Sequence, residues 1–173
     1  MNQKRKSRTQ ASHKTGLPPG SLVHVGDLLI ENTCISVIDY NKDTVTEKII
    51  SSIDELSSLR GTDTVSLVII EGLANVEVVE KVGDLFGIHQ LVLEDILNTH
   101  QRPKFEEYED YLYIVLTGMA SVGNQFTVEY EQISLLVLDN VVIAFKEKKD
   151  ELIAPVIQRI RTSKGRFRSL GAD

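Results

Sequence analysis

Apolar residues recur in this chain with two different periods, and the changes of period mark out its elements. Residues 33–40 and 45–50 alternate apolar with polar, and Asn41-Lys42-Asp43 between them is a turn signal, so the two stretches predict a β-hairpin. Ser52-Ile53-Asp54-Glu55 then reads as a capping box opening a short helix, with Gly61 placed to end it. Residues 65–70 form a continuous apolar run of strand length, the pattern of a central strand buried on both faces. From Asn75 the period lengthens. Val76, Val79, Val82 and Phe86 fall on one helical face, Glu77 and Lys81 are spaced to pair, and Gly87 is a stop signal. A shorter helix follows over 90–98. Beyond Pro103 alternation returns over 111–119, 126–138 and 141–146, predicting three antiparallel strands joined by Gly123-Asn124 and Asp139-Asn140 turns. Pro155 opens a last helix with Val156, Ile157 and Ile160 inward, broken at Lys164-Gly165.

Composition narrows what such a fold is for. The chain has 173 residues, 42% hydrophobic and 25% charged, which suits one globular core. It has no Trp and only 6% aromatics, so its core is aliphatic, as in a sheet covered by helices, and an aromatic-lined cofactor pocket is disfavoured. The single cysteine, Cys34, lies in an alternating strand where packing is its ordinary role; no internal disulfide or cysteine-rich zinc cage can form. No apolar run approaches the roughly 20 residues a membrane helix needs, and the start lacks the apolar stretch of a signal peptide. Charge is segregated. Residues 1–14 carry five bases and no acid, and 159–173 five bases against Asp173, leaving nine bases against 24 acids between them. So acidic a middle repels itself, and divalent cations or a basic partner relieve that strain. The basic ends read as solvated tails, and residues 1–15 as a flexible leader before the Gly16-Leu17-Pro18-Pro19-Gly20 turn.

Enzyme signatures are missing: no Gly-rich phosphate loop, no G-x-S-x-G elbow, no His-Glu-x-x-His. Of the four histidines only His89 and His100 share a sequence neighbourhood; alone they are two ligands short of a soft-metal site, and backbone hydrogen bonds at helix ends are the simpler reading. Two acidic features remain. Glu94-Asp95 interrupts the apolar residues Leu91, Val92, Leu93, Ile96 and Leu97, so at least one carboxylate sits at the edge of a packed face. There it needs a cation, a base or water. Hard ions such as Mg²⁺ take one or two carboxylates and keep their waters; a salt bridge to Arg102 or Lys104 is the alternative. Glu106-Glu107-Tyr108-Glu109-Asp110, four acids in five residues, reads as a solvated turn or a diffuse cation attractor.

The string Phe86-Gly87-Ile88-His89-Gln90-Leu91-Val92-Leu93-Glu94-Asp95-Ile96-Leu97-Asn98-Thr99-His100-Gln101-Arg102-Pro103-Lys104 closely resembles the signature block of CorA magnesium/cobalt transporters. Gly16 to Gly20, Glu131-Gln132-Ile133-Ser134 and residues 155–161 extend the resemblance over 16–173. It implies a three-layer α/β/α cytoplasmic domain with a mixed parallel/antiparallel sheet, on the inner face of the cell membrane, followed in longer members by a stalk helix and two membrane helices near a Gly-Met-Asn motif. Neither the stalk nor that motif is in the sequence. The resemblance also implies a homopentamer with Mg²⁺ or Co²⁺ between protomers as regulatory ligand. Asp95 matches the ligand and Glu94 its companion, while the acids that face them lie past residue 173. The chain by itself is then expected to bind Mg²⁺ weakly and to be mainly monomeric, to meet the membrane only through the missing part, and to bind no nucleic acid. In one place it departs from the pattern: where many relatives resemble Trp-Ile-Asn-Ile-Xaa-Gly, this chain reads Leu67-Val68-Ile69-Ile70-Glu71-Gly72, with Ile69 replacing the polar residue. A zinc-transporting relative shares the architecture. A free-standing regulatory or nucleic-acid-binding module and a metal-dependent hydrolase are the readings from other classes.

Overall fold

The computed structural model describes residues 16–26, 32–122, 127–149, 152–163, 168 and 172. The basic leader, the Gly123-Asn124 turn and the Lys164-Gly165 break lie outside them. Alternation at the start of the chain becomes β1 (Cys34–Tyr40) and β2 (Val45–Ile49), an antiparallel hairpin whose turn is held by the Asn41 side chain accepting from the Asp43 and Thr44 N–H groups. The apolar run is β3 (Val65–Glu71), antiparallel to β1.

Four strands, not three, follow the helices. β5 (Leu112–Val122), β6 (Thr127–Val137) and β7 (Val141–Lys146) form the expected antiparallel meander. β4 (Lys104–Glu107) pairs with β5 at the sheet's end, which puts Glu106 and Glu107 in a strand rather than a turn. Its Lys-Phe-Glu-Glu sequence is too short and too charged to alternate visibly, and such charge is what an exposed edge strand tolerates. The sheet runs β2-β1-β3-β7-β6-β5-β4, and only β3 and β7 are parallel. β3 is therefore interior but one place off the middle, because β6, β5 and β4 lie beyond β7.

One face of the sheet is covered by three helical segments. The capped segment is a 3₁₀ helix, Ile53–Leu59, rather than an α-helix, with the capping box formed between Ser52 and Glu55. Its apolar residues explain the tighter winding: Ile53, Leu56 and Leu59 recur every third position, the period of a 3₁₀ helix. α1 (Val76–Phe86) is opened by Asn75, whose side chain accepts from the Glu77 N–H at 3.1 Å, and closed by Gly87 in the left-handed region at φ 71°. α2 (Gln90–Leu97) follows at once. Val79, Val82 and Phe86 of α1 and Val92, Leu93, Ile96 and Leu97 of α2 pack with Val37, Val68, Ile70, Tyr113, Ile143 and Phe145 of the sheet. Among the described residues Glu77 and Lys81 form no ion pair.

α3 (Ala154–Thr162) covers part of the opposite face and completes three layers. Ile153, Ile157 and Ile160 meet Ile38, Tyr40 and Ile69, while Val156 is turned out to solvent, 42% exposed. α3 lays a narrow row against the sheet, Ile153, Ile157 and Ile160, and Val156, about 100° round the helix from Ile157, falls outside it. Arg161 binds α3 to β2 through two hydrogen bonds to Glu47, at 2.6 and 2.7 Å. Ile69, at the departure from the signature, is 4% exposed within this second core. An apolar side chain is what that position now requires.

Candidate carboxylate site on the second helix

α2 carries the two acids singled out in the sequence, and its own packing decides where they go. His89 is its N-cap, the ring Nδ1 accepting from the Leu91 N–H at 3.2 Å. From there Val92, Leu93, Ile96 and Leu97 turn inward, leaving Glu94 and Asp95 half-buried along the rim of the helix. They face different neighbours. Glu94 Oε2 accepts from the backbone N–H of Gly20 at 2.5 Å, and Val25 exchanges backbone hydrogen bonds with Leu97 and Thr99. The segment 16–26 is thereby strapped along α2. Gly20, at φ 84°, is in the region that favours glycine, and a Cβ there would crowd the Gln90 side chain.

Asp95 faces the other way. Its Oδ2 accepts from Lys104 Nζ at 2.6 Å and its Oδ1 from the Gln101 side-chain amide at 2.7 Å. The same ammonium donates to Glu106 Oε1 at 2.9 Å, and the Tyr108 hydroxyl donates to Glu106 Oε2 at 3.1 Å. Lys104 also stands 4.9 Å from the centroid of the Tyr113 ring, close enough for a cation–π contact. Tyr108 stacks on Tyr111, whose hydroxyl accepts from the His89 N–H at 3.0 Å. One connected network therefore joins the start of α2, the carboxylate near its end and the edge strand β4.

Electrostatics follow this geometry. Burial works against the Lys104 ammonium, but hydrogen bonds to Asp95 and Glu106 outweigh it and hold the lysine above its ordinary range. The hydrogen bond from Lys104 keeps Glu106 below the usual carboxylate range. Burial pushes the Tyr113 phenol up to about 12. The Asp95, Lys104 and Glu106 side chains are 30%, 25% and 39% exposed, so water and ions reach all three.

The structure separates several residues that the sequence put together. Glu94 and Asp95 are adjacent in the chain yet belong to different contacts. His89 is a helix cap, whereas burial first, and then the neighbouring His100, holds His24 below the ordinary histidine range, and burial raises the pKa of Glu147. Glu107, Glu109 and Asp110 take no part in the Lys104 network among the hydrogen bonds and ion pairs of the described residues. Gln101 and Glu106 were not recognisable as partners of Asp95: they lie 6 and 11 positions beyond it, outside any helical spacing, and only the 98–103 loop, turning at Thr99-His100, brings β4 back beside α2.

A single hard, partly exposed carboxylate suits a cation that keeps most of its water. Among the described residues there is no group of three or more His, Cys, Asp and Glu able to hold a metal alone. What this face offers is one side of a site.

Comparison with known proteins gives the context. Residues 73–172 match the family described as CorA-like Mg²⁺ transporter protein. The cobalt/magnesium transport protein CorA of Thermotoga maritima is 41% identical over 162 residues, which are 94% of this chain and 46% of that protein. The chain thus spans less than half the length of that relative. Among solved structures, the full-length CmaX protein superposes with a TM-score of 0.61 at 14% identity, covering 81% of this chain and 42% of that one. The soluble domain of CorA from Methanocaldococcus jannaschii gives 0.51 at 15% identity, covering 76% and 50%. The ZntB cytoplasmic domain from Vibrio parahaemolyticus gives 0.52 at 13% identity, covering 76% and 51%. At these identities the likeness is one of fold.

Proposed function

This chain belongs to the CorA-like Mg²⁺ transporter family, and from that premise we propose that it is the cytoplasmic metal-sensing domain of a Mg²⁺/Co²⁺ transport protein. In this reading Asp95 is a ligand shared between neighbouring protomers of a homopentamer, and Glu94 is its companion. The observation that carries it is the placement of Asp95: a carboxylate on the rim of an otherwise buried helix, 30% exposed and already balanced by a cation, Lys104. No helix among the described residues is long and apolar enough to cross a membrane; in this reading the domain senses the ion and does not itself carry it. The 41% identity to the Thermotoga maritima protein favours Mg²⁺ or Co²⁺ over zinc, since the fold resembles the CorA and ZntB domains about equally.

Bound between protomers, the divalent ion supplies the positive charge that opposed carboxylates need in order to lie close. Asp95 contributes one such carboxylate, held on a helix whose four inward side chains fix its direction. Glu94 contributes indirectly, by tying the 16–26 strap to the same helix through Gly20. When the ion is lost, facing acids repel and the closed arrangement of protomers loses its advantage, so the ion biases gating only through its different affinity for the two states. Asp95→Ala in the full-length transporter tests this. Mg²⁺-dependent closure of ion flux is expected to weaken; closure with unchanged Mg²⁺ dependence refutes the role of Asp95.

A further inference from the structure

Lys104 already occupies Asp95, and whatever cation Asp95 receives has to contend with that ammonium. We infer that Lys104 is a built-in competitor that lowers the divalent affinity of Asp95, and that Glu106 receives the ammonium when Asp95 gives it up. The inference rests on the proposed role of Asp95 as a metal ligand.

Three features of the network support it. Both Asp95 oxygens are engaged by donors, Lys104 on Oδ2 and the Gln101 amide on Oδ1, so a divalent ion entering the inner shell has to share an oxygen with one of them or displace it. Gln101 is neutral, but Lys104 carries a like charge that would repel the arriving ion at short range. The ammonium has somewhere to go: it touches Glu106 at 2.9 Å as well as Asp95 at 2.6 Å, and Tyr108 steadies Glu106 from its far oxygen. The ammonium itself lies 4.9 Å from the Tyr113 ring centroid and already bonds both carboxylates, so a small swing of the terminal bonds is enough to leave Asp95 for Glu106. Lys104 thereby keeps the site from filling at low ion concentration, and Glu106 sets how readily it yields.

The test is a Mg²⁺ titration of this chain followed by NMR at the Gln101 side-chain amide, which reports the state of Asp95 directly. Lys104→Met keeps the apolar stem and removes the charge. Since a part-exposed ion pair changes binding by a modest factor, an affinity about two- to fivefold tighter than that of the unsubstituted chain is expected. Glu106→Gln should weaken binding, because the ammonium then has Asp95 as its one anionic partner in this network. That weakening should disappear when Lys104→Met is also present. Unchanged or weaker binding in Lys104→Met overturns the inference, and so does an equal effect of Glu106→Gln with and without the lysine, which would mean Glu106 acts by its own charge. If Lys104→Met fails to fold, Lys104→Gln takes its place in both comparisons; no weakening in Glu106→Gln also overturns the inference. Asp95→Asn separates the two levels: if it abolishes the response, the metal role stands whatever Lys104 does, and if it leaves the titration unchanged, both fall.

Discussion

Gly83→Ala tests the packing that aims α2. In most exposed helix interiors this change stabilises by about 1 kcal/mol, because alanine loses less backbone freedom than glycine. Here it should do the reverse. A Cβ at Gly83 would lie 2.2 Å from Leu93 Cδ1, 2.9 Å from Cδ2 and 3.1 Å from Cγ, against about 3.5–4.0 Å for carbon atoms in contact. All three contacts are with the fork of one leucine, so rotating a single methyl away leaves the others too close. Leu93 is only 4% exposed and is enclosed by the first core. Overpacking of this kind costs about 1–3 kcal/mol, and the propensity gain offsets up to about 1 kcal/mol of it. The net expectation is a destabilisation of about 0–2 kcal/mol, which for a domain this size lowers Tm by up to about 8 °C. Urea unfolding followed by far-UV circular dichroism measures it. The decisive comparison is a double-mutant cycle: with Leu93→Ala already present the clash is gone, and Gly83→Ala should then stabilise. A coupling of at least about 1 kcal/mol is expected from the overpacking that Leu93→Ala removes. A stabilising Gly83→Ala in the unsubstituted chain, or no coupling to Leu93, would refute the claim that this glycine sets the approach of α1 to α2.

Two further outcomes follow from hydrogen bonds seen in the fold. Asn140→Ala removes the amide that donates to Leu59 O, Thr62 Oγ1 and Thr64 O at 2.8, 2.9 and 3.1 Å, and should cost about 1–3 kcal/mol by leaving carbonyls at the end of the 3₁₀ helix without that donor; thermal melts and hydrogen exchange of the 57–64 amides check it, and loss confined to other regions would contradict it. Glu106 titrates below its ordinary value of 4.5 because of its hydrogen bond from Lys104, so between that value and its depressed folded one the unfolded chain binds more protons, and the stabilisation it gives is present above pH 4.5 and lost as pH falls through the folded value. The difference in urea midpoint between the unsubstituted chain and Glu106→Gln should therefore hold steady from pH 7 to about pH 5 and shrink in more acid solution; a difference that does not change down to pH 3 would contradict the pairing.

Local pattern carried much of this molecule. The alternation of β1, the unbroken run of β3, the Asn75 cap, the Gly87 stop and the four-position face of α1 each rest on interactions within a few residues, and each stands where the pattern put it. Errors arose where a short-range rule met a longer constraint. β4 is a strand because β5 offers it an edge, not because Lys-Phe-Glu-Glu prefers extension. Val156 is apolar and next to Ile157, yet the direction of α3 over β1 and β3 selects Ile153, Ile157 and Ile160 as its inward row.

The candidate site divides in the same way. That Glu94-Asp95 sits on the rim of a helix follows from the five apolar residues around it, and a basic partner at Lys104 was one of the alternatives that reading left open. The sequence by itself therefore determined most of the elements, the aliphatic core of a helix-covered sheet and the rim position of the two carboxylates, because helical and strand periods are set by neighbours along the backbone. Only the tertiary structure decided that the two acids part company, Glu94 to the Gly20 N–H and Asp95 to Gln101 and Lys104, with Glu106 brought in behind them. Those contacts join residues separated by 74, 6, 9 and 2 positions. No single period spans such separations: the 98–103 loop brings β4, paired with β5, back beside α2, and the 16–26 segment returns along the same helix through Val25, and that geometry is a property of the packed whole.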